Sequence, residues 1–206
     1  KLGNDDQRPL SPKSVKNIHG ILHSALKRAV LVGVLRSNPA DNTELPRVSK
    51  PDLKPLMDED IGRFLQAIRG ERYENLFIVD LFSGLRLSEI LGLQWEDIDF
   101  NAGALTVRRQ LQKSRGGVYI YLDQTKNGKA RVVSIPPSIA QVLRRQKAQQ
   151  AAWKLVAGEA WSNPRRLVFT DEQGGHLVHN TVYKHLKRAV KKIGMESTRF
   201  HDLRHS

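Results

Sequence analysis

The chain has 206 residues, of which 39% are hydrophobic and 27% charged, enough for one packed domain and part of a second. It has no cysteine, no apolar run near the roughly 20 residues of a membrane-spanning helix and no charged-then-apolar leader, so we exclude disulfide scaffolds and expect neither membrane insertion nor secretion. The formal net charge of +13 indicates a polyanionic partner, and nucleic acid is the commonest one inside cells.

The first predicted element is a helix that begins at Ser11-Pro12, where a capping hydroxyl precedes a proline suited to the first helical position. Apolar residues then recur at steps of three and four until Gly33 and Asn38-Pro39 end the segment. Residues 40–55 contain prolines and no apolar periodicity, which predicts a linker. We expect three parts, namely a helical remnant at 1–42, a linker at 43–55 and a main domain at 56–206.

The main domain alternates helical and β-type patterns. Helical spacing covers 58–68, 74–82, 87–93, 139–156 and 181–193, the last with Asn180 as its cap. Short β-type runs occupy 104–111, 118–122 and 130–135, and Asn127-Gly128 between the last two is a strong hairpin signal. The predicted fold class is α+β, a mostly helical domain around a small three-stranded antiparallel sheet.

Three segments combine charge with a sharp turn. Arg86 follows Ser83-Gly84 at a helix break, with Glu89 one helical turn later, and the simplest interpretation is a surface ion pair. Lys126 lies at the tip of the predicted hairpin, where a cation is either solvated or bound to phosphate. His201 and His205 are spaced like two helical metal ligands, but no third ligand supports that hypothesis, and a capped helix start is the simpler alternative.

In this order, the three segments resemble the catalytic domain of the tyrosine recombinases, the phage-integrase family of site-specific DNA recombinases. Residues 83–93 are similar to the family's first arginine box, Thr125–Lys129 to its β-hairpin lysine, and His201–His205 to its second box, His-x-Leu-Arg-His. Residues 93–99 are also typical of the family, and residues 11–40 are similar to the closing helices of the core-binding domain that precedes the catalytic domain.

The resemblance implies the catalytic roles. Arg86 and Arg204 would stabilise the negative charge of a five-coordinate phosphorus, because arginine keeps its charge and presents a planar fork of donors. Lys126 would protonate the leaving 5′ oxygen, and His201 would exchange a proton near neutral pH. Glu89 would orient Arg86 or His201. The resemblance implies no cofactor, neither a metal nor ATP nor nicotinamide.

The implied partner is double-stranded DNA at a recombination site, bound by a homotetramer in the bacterial cytosol. The expected phosphate contacts are basic side chains, together with His205: Arg108, Arg109, Lys113, Arg115, Lys129, Arg131, Lys184, Lys187 and Arg188. The predicted function is integration or excision of a phage or other mobile element through a 3′-phosphotyrosine intermediate. The alternatives are a cell-encoded resolvase, a non-catalytic DNA-binding module of the same fold, or an RNA-binding protein such as a ribosomal one.

The family places its nucleophilic tyrosine beyond the second arginine box. Tyr73, Tyr119, Tyr121 and Tyr183 all precede that box and match no nucleophile motif. Because the sequence starts at Lys1 without an initiator methionine and stops at Ser206, we expect a piece of a longer protein that binds DNA without cleaving it.

Overall fold

The computed structural model describes residues 9–49, 57–114, 116–122, 130–196 and 198–203, without the side chains of Asp58 and His201. Internal contacts divide the chain into two compact units, Lys1–Asp52 and Leu53–Ser206. The boundary between the units lies in the proline-containing segment that the sequence predicts as a linker.

The first unit contains one helix, α1, at Pro12–Leu31. The predicted cap is confirmed, because the Ser14 backbone N–H donates to Ser11 Oγ at 3.1 Å. The segment after the helix folds back along it, with His23 Nε2 2.8 Å from Asp41 Oδ1 and the Asn38 side-chain amide donating to the His23 carbonyl. His23 is therefore a structural residue of this unit.

The second unit is built from helices and short strands. The helices are α2 at Asp58–Ile68, α3 at Glu74–Ser83, α4 at Leu87–Leu91, α5 at Pro137–Ala157, α6 at His179–Lys192 and α7 at Phe200–Leu203. The strands are β1 at Ile98–Asp99, β2 at Ala104–Val107, β3 at Gln110–Lys113, β4 at Tyr119–Leu122 and β5 at Arg131–Ser134. Single 3₁₀ turns lie at Trp95–Asp97 and Gly158–Ala160.

Helix α3 lies in the core because it is apolar on nearly all sides. Its Leu76, Phe77 and Val79 are buried, and it packs against α5, while α2 packs against α6. The predicted helices are all present. The predicted cap of α6 is wrong, because Val178 precedes the first helical residue and Asn180 lies inside the first turn.

The α+β fold class is confirmed, but the strands are grouped differently from the prediction. The run 104–111 splits into β2 and β3, and the order of the three-stranded antiparallel sheet is β1-β2-β5. Strands β3 and β4 form a separate antiparallel pair. The split falls at Arg108 and Arg109, whose side chains turn to Asp97 in the 3₁₀ turn.

Candidate active site

The first arginine box is shaped by a glycine turn. Helix α3 ends at Gly84, whose φ of 58° and ψ of 31° lie in the left-handed region that favours glycine. Arg86 is then extended and immediately precedes α4. The neighbouring Leu85 and Leu87 are buried, so Arg86 is anchored on both sides while its own side chain is 38% exposed. The turn thus presents a guanidinium at the surface from a fixed backbone.

Helix α4 is also fixed at its other end. A Cβ on Gly92 would lie 3.1 Å from Gln110 Cα and from the Leu111 nitrogen, so a larger residue there would require β3 to move by a few tenths of an ångström. The end of the short helix thus lies close against the backbone of β3.

Glu89 contacts Arg86 directly. Its side chain is only 1% exposed. The Arg86 backbone N–H donates to Oε2 and Arg86 Nη1 donates to Oε1, both at 2.9 Å. The carboxylate thus caps α4 and holds the guanidinium, which is the contact expected of an orienting residue.

A second arginine shares the same carboxylate. Arg131, the first residue of β5, donates from Nη1 to Glu89 Oε1 at 2.9 Å and from Nη2 to Oε2 at 2.6 Å. Burial alone would raise the pKa of Glu89, but hydrogen bonds from Arg131 and from the Arg86 backbone and side chain outweigh it and lower that pKa from 4.5 to about 2. Glu89 is therefore ionised at neutral pH and joins α4 to the sheet.

This lowered pKa predicts a stability contribution that acid removes. The contribution is complete above the unfolded-state pKa of 4.5 and is lost as the pH falls towards 2, since unfolding then takes up a proton. The difference in unfolding free energy between the wild-type chain and Glu89→Gln should shrink by about 2 kcal/mol from pH 6 to pH 3. Urea titrations measure it, with Glu59→Gln on the exposed side of α2 as control. A difference that does not change with pH would contradict the ion-pair assignment.

Four predicted phosphate contacts have partners inside the protein, and the first of them, Arg108, places its Nε 3.5 Å from Asp97 Oδ1. Arg131 binds Glu89, and Arg109 donates to Asp97 and Glu96 at 2.9 Å each with only 12% of its side chain exposed. Lys187 Nζ donates to the carbonyls of Glu196 and Thr198, both at 2.7 Å. Each contact gives the cation a structural role, and the phosphate contact expected of it stays a prediction because only some of its N–H donors are used.

The second box begins in a capped helix. The Arg199 backbone N–H donates to Asp202 Oδ2 at 2.8 Å, and Phe200 and Leu203 are buried. His201 is on this short helix, α7. Lys187 supports the segment that leads into it. The other predicted site residues of this box and of the hairpin lie outside the described residues, namely Lys126, Arg204, Arg115, Lys129 and His205.

An open groove of about 340 Å³ lies beside α4. Ser88 contributes from α4, Gln112 and Lys113 from β3, and His179 and Asn180 from the start of α6. Lys113, one of the predicted phosphate contacts, is exposed and lines this groove together with these polar side chains. Arg108, Lys184 and Arg188 are exposed as well.

The described ranges contain no group of three or more His, Asp or Glu side chains placed to hold a metal ion. Within the same ranges, no helix is both long enough and apolar enough to span a membrane.

Sequence arguments locate Arg86 and Glu89 but miss the roles of Arg131 and Lys187. The glycine turn and the i, i+3 spacing are local signals. Arg131 binds Glu89, which is 42 positions away in the chain, and Lys187 binds backbone carbonyls in the loop after α6. Neither contact has a local sequence pattern that predicts it. An arginine that follows a basic segment at the start of a strand is typical of a phosphate contact as much as of an ion pair.

Known proteins with similar sequences are integrases and tyrosine recombinases. The profile of the Phage integrase family matches residues 54–206. The tyrosine recombinase XerC-like protein of Caldanaerobacter subterraneus subsp. tengcongensis is 30% identical over 217 aligned positions, which cover 97% of this chain and 55% of that protein. The ICEBs1 integrase of Bacillus subtilis is 28% identical, over 96% of this chain and 53% of that protein. The chain thus spans about half the length of these curated relatives.

The fold agrees with the sequence match. The Tn1549 transposon integrase, solved in complex with transposon right-end DNA, superposes with a TM-score of 0.81 at 22% identity, covering 95% of this chain and 65% of the integrase chain. With a family profile that matches well over half of its residues, the chain belongs to the phage integrase family of tyrosine recombinases.

Proposed function

We propose that the protein containing this chain is a site-specific DNA recombinase that integrates or excises a phage or other mobile element. The observation that carries the proposal is the placement of Arg86 in a chain of this family. A fixed turn presents its guanidinium at the surface, and the buried Glu89 holds it. The similar proteins include an integrase of Bacillus subtilis, which supports the integration or excision of a mobile element.

The proposed reaction is a phosphoryl transfer between DNA and a tyrosine. The tyrosine oxygen attacks the scissile phosphorus, the 5′ oxygen leaves with a proton, and a 3′-phosphotyrosine forms. Attack by the 5′ hydroxyl of another strand reverses the step, so the bond energy is retained. Arg86 and Arg204 would stabilise the extra negative charge on the non-bridging oxygens. Lys126 would protonate the leaving oxygen, and His201 would exchange a proton with the attacking side.

We assign the domains and the assembly on the same basis. The proposed end of a core-binding domain is 1–42, the proposed linker is 43–55 and the proposed catalytic domain is 56–206, and the boundary between the two compact units falls inside this linker. A homotetramer on two duplexes in the bacterial cytosol is the proposed working form. Chromatography coupled to light scattering, with and without the cognate DNA, tests this assembly.

Duplex binding should depend steeply on salt. Each phosphate neutralised by the protein contributes about −0.9 to the slope of log affinity against log salt concentration. Lys184→Ala and Arg188→Ala, at exposed positions of α6, should each make the slope shallower by about 1. Arg145→Ala on α5 removes one charge outside the proposed interface and should leave the slope unchanged. Fluorescence anisotropy between 50 and 200 mM salt measures these slopes, and a flat dependence would contradict DNA contact through phosphates.

Covalent capture tests the proposed function directly. The whole protein is incubated with genomic DNA of the organism that encodes it, the mixture is denatured, and DNA that stays attached to the protein is sequenced. The expected result is attachment at one or a few defined positions. DNA that is retained before denaturation but released afterwards would instead identify a non-catalytic DNA-binding protein. The captured position supplies the duplex for the experiments below.

A further inference from the structure

Arg131 and Arg86 reach one buried carboxylate from different elements. Each oxygen of Glu89 accepts a hydrogen bond from Arg131, and each also accepts one from Arg86. Arg86 donates from its backbone and one guanidinium nitrogen, whereas Arg131 donates from both terminal nitrogens. Arg131 is therefore the arginine that binds the carboxylate with both terminal nitrogens, and this bidentate arrangement is the more rigid of the two.

The sheet fixes the position of Arg131. Strand β5 pairs antiparallel with β2, and Arg131 lies opposite Val107, which is buried. Because strand pairing sets the backbone, the side chain reaches Glu89 from a rigid base. The chain of contacts runs from the sheet through Arg131 and Glu89 to the guanidinium of Arg86.

Loss of Arg131 would change the hydrogen bonding and the position of the Glu89 carboxylate. The carboxylate is almost fully buried with Arg131 in place, and removal of this arginine takes away two of the four hydrogen bonds that hold it. The side chain would then turn or take up a proton, and either change weakens its hold on Arg86. Arg86 is 38% exposed and has the freedom to adopt other rotamers once it is released.

We propose that Arg131 is a positioning residue for DNA cleavage, which acts by holding Glu89 so that the guanidinium of Arg86 meets the scissile phosphate. The inference rests on the proposed function. It goes beyond the phosphate contact predicted from the sequence, and it concerns a residue that only the folded chain brings to the first arginine box.

A substrate without the negative charge at the scissile phosphate distinguishes a variant that misplaces Arg86 from one that only destabilises the fold. A methylphosphonate at the scissile position replaces one non-bridging oxygen by a methyl group and removes the negative charge that Arg86 is proposed to stabilise. A variant that acts through Arg86 should lose much of its rate on the phosphodiester and less on the methylphosphonate. A variant that only destabilises the fold should slow both substrates by the same factor.

The experiment measures single-turnover cleavage of both duplexes by the whole protein. The quantity compared is the rate on the phosphodiester divided by the rate on the methylphosphonate. Relative to wild type, Arg86→Ala should reduce this ratio by about 10²-fold or more. Arg131→Ala should reduce it by about 10-fold to 10²-fold, since misplacement of a catalytic group has effects of this size. Arg145→Ala, which removes a donor to Asn75 on a different face, should keep the wild-type ratio.

Arg131→Lys provides the second variant, because lysine keeps the charge but cannot form two parallel bonds to one carboxylate. If Arg131→Ala does not fold, as judged by thermal melting, the ratio of the folded Arg131→Lys protein decides, and we expect a reduction of about threefold to 10-fold. An unchanged ratio in the folded Arg131 variants, with the expected loss in Arg86→Ala, would overturn the positioning role alone. An unchanged ratio in Arg86→Ala would overturn the proposed role of Arg86 as well.

Discussion

Arg86→Ala in the whole protein is expected to lower covalent adduct formation by about 10³-fold while changing duplex affinity by less than about threefold. The reason is that the guanidinium is proposed to meet charge that develops only in the transition state, and one such donor contributes about 4 kcal/mol. The rate is measured with the captured duplex by denaturing electrophoresis, and the affinity by anisotropy at the same salt concentration.

Arg86→Lys is the matched control for charge. It keeps a cation after the glycine turn but loses the planar fork that bonds Glu89 and is proposed to bond a phosphate oxygen. We expect a rate between those of wild type and Arg86→Ala. Equal losses of binding and cleavage in Arg86→Ala would contradict the account, because they would show a residue that only binds DNA.

Lys126→Ala is expected to reduce cleavage by about 10²-fold to 10⁴-fold, the usual size of a general-acid contribution. A substrate with sulfur in place of the leaving 5′ oxygen should restore most of the rate, since a thiolate departs without being protonated. Lys184→Ala, a change at a proposed phosphate contact, should show no such rescue. Single-turnover cleavage of the two duplexes provides the measurement.

The absence of rescue by sulfur in Lys126→Ala would remove the general-acid role. Rescue that is equally large in Arg86→Ala would show that the sulfur substrate is simply easier to cleave. The two lysine variants and the arginine variant therefore have to be compared on the same pair of substrates.

The sequence predicts the parts of the fold that depend on neighbouring residues. Helices α2 and α3 follow from apolar spacing, and Gly84 ends α3 because its backbone conformation favours glycine. The cap of α1 follows from a hydroxyl before a proline, and the structure confirms it. These signals lie within a few residues, so no tertiary context is needed to interpret them.

The sequence misses the features that depend on distant partners. The run 104–111 has β-type character throughout, yet it splits at Arg108 and Arg109, because the side chains of these arginines turn to Asp97. The short strand β1 pairs only because β2 lies beside it. Likewise, the prediction that Arg131 contacts phosphate overlooks Glu89, which is 42 positions earlier in the chain.

The same distinction applies to the candidate site. The contact between Arg86 and Glu89 is predictable from the i, i+3 spacing, whereas the sharing of Glu89 between α4 and β5 is a tertiary feature. A basic residue in a basic chain is readily assigned to DNA. Burial and hydrogen-bond partners then separate the structural cations, such as Lys187, from exposed ones such as Lys184.

The central claim is that the whole protein joins DNA to a tyrosine, and identification of the linked residue tests it most directly. The captured adduct is digested with nuclease and protease, and the peptide that carries a nucleotide is identified by mass spectrometry. We predict that the 3′-phosphate of the nucleotide is joined to the oxygen of a single tyrosine other than Tyr73, Tyr119, Tyr121 and Tyr183. Arg86→Ala should form about 10³-fold less of this adduct. A nucleotide on serine or on one of these four tyrosines, or no adduct with the wild-type protein, would contradict the account.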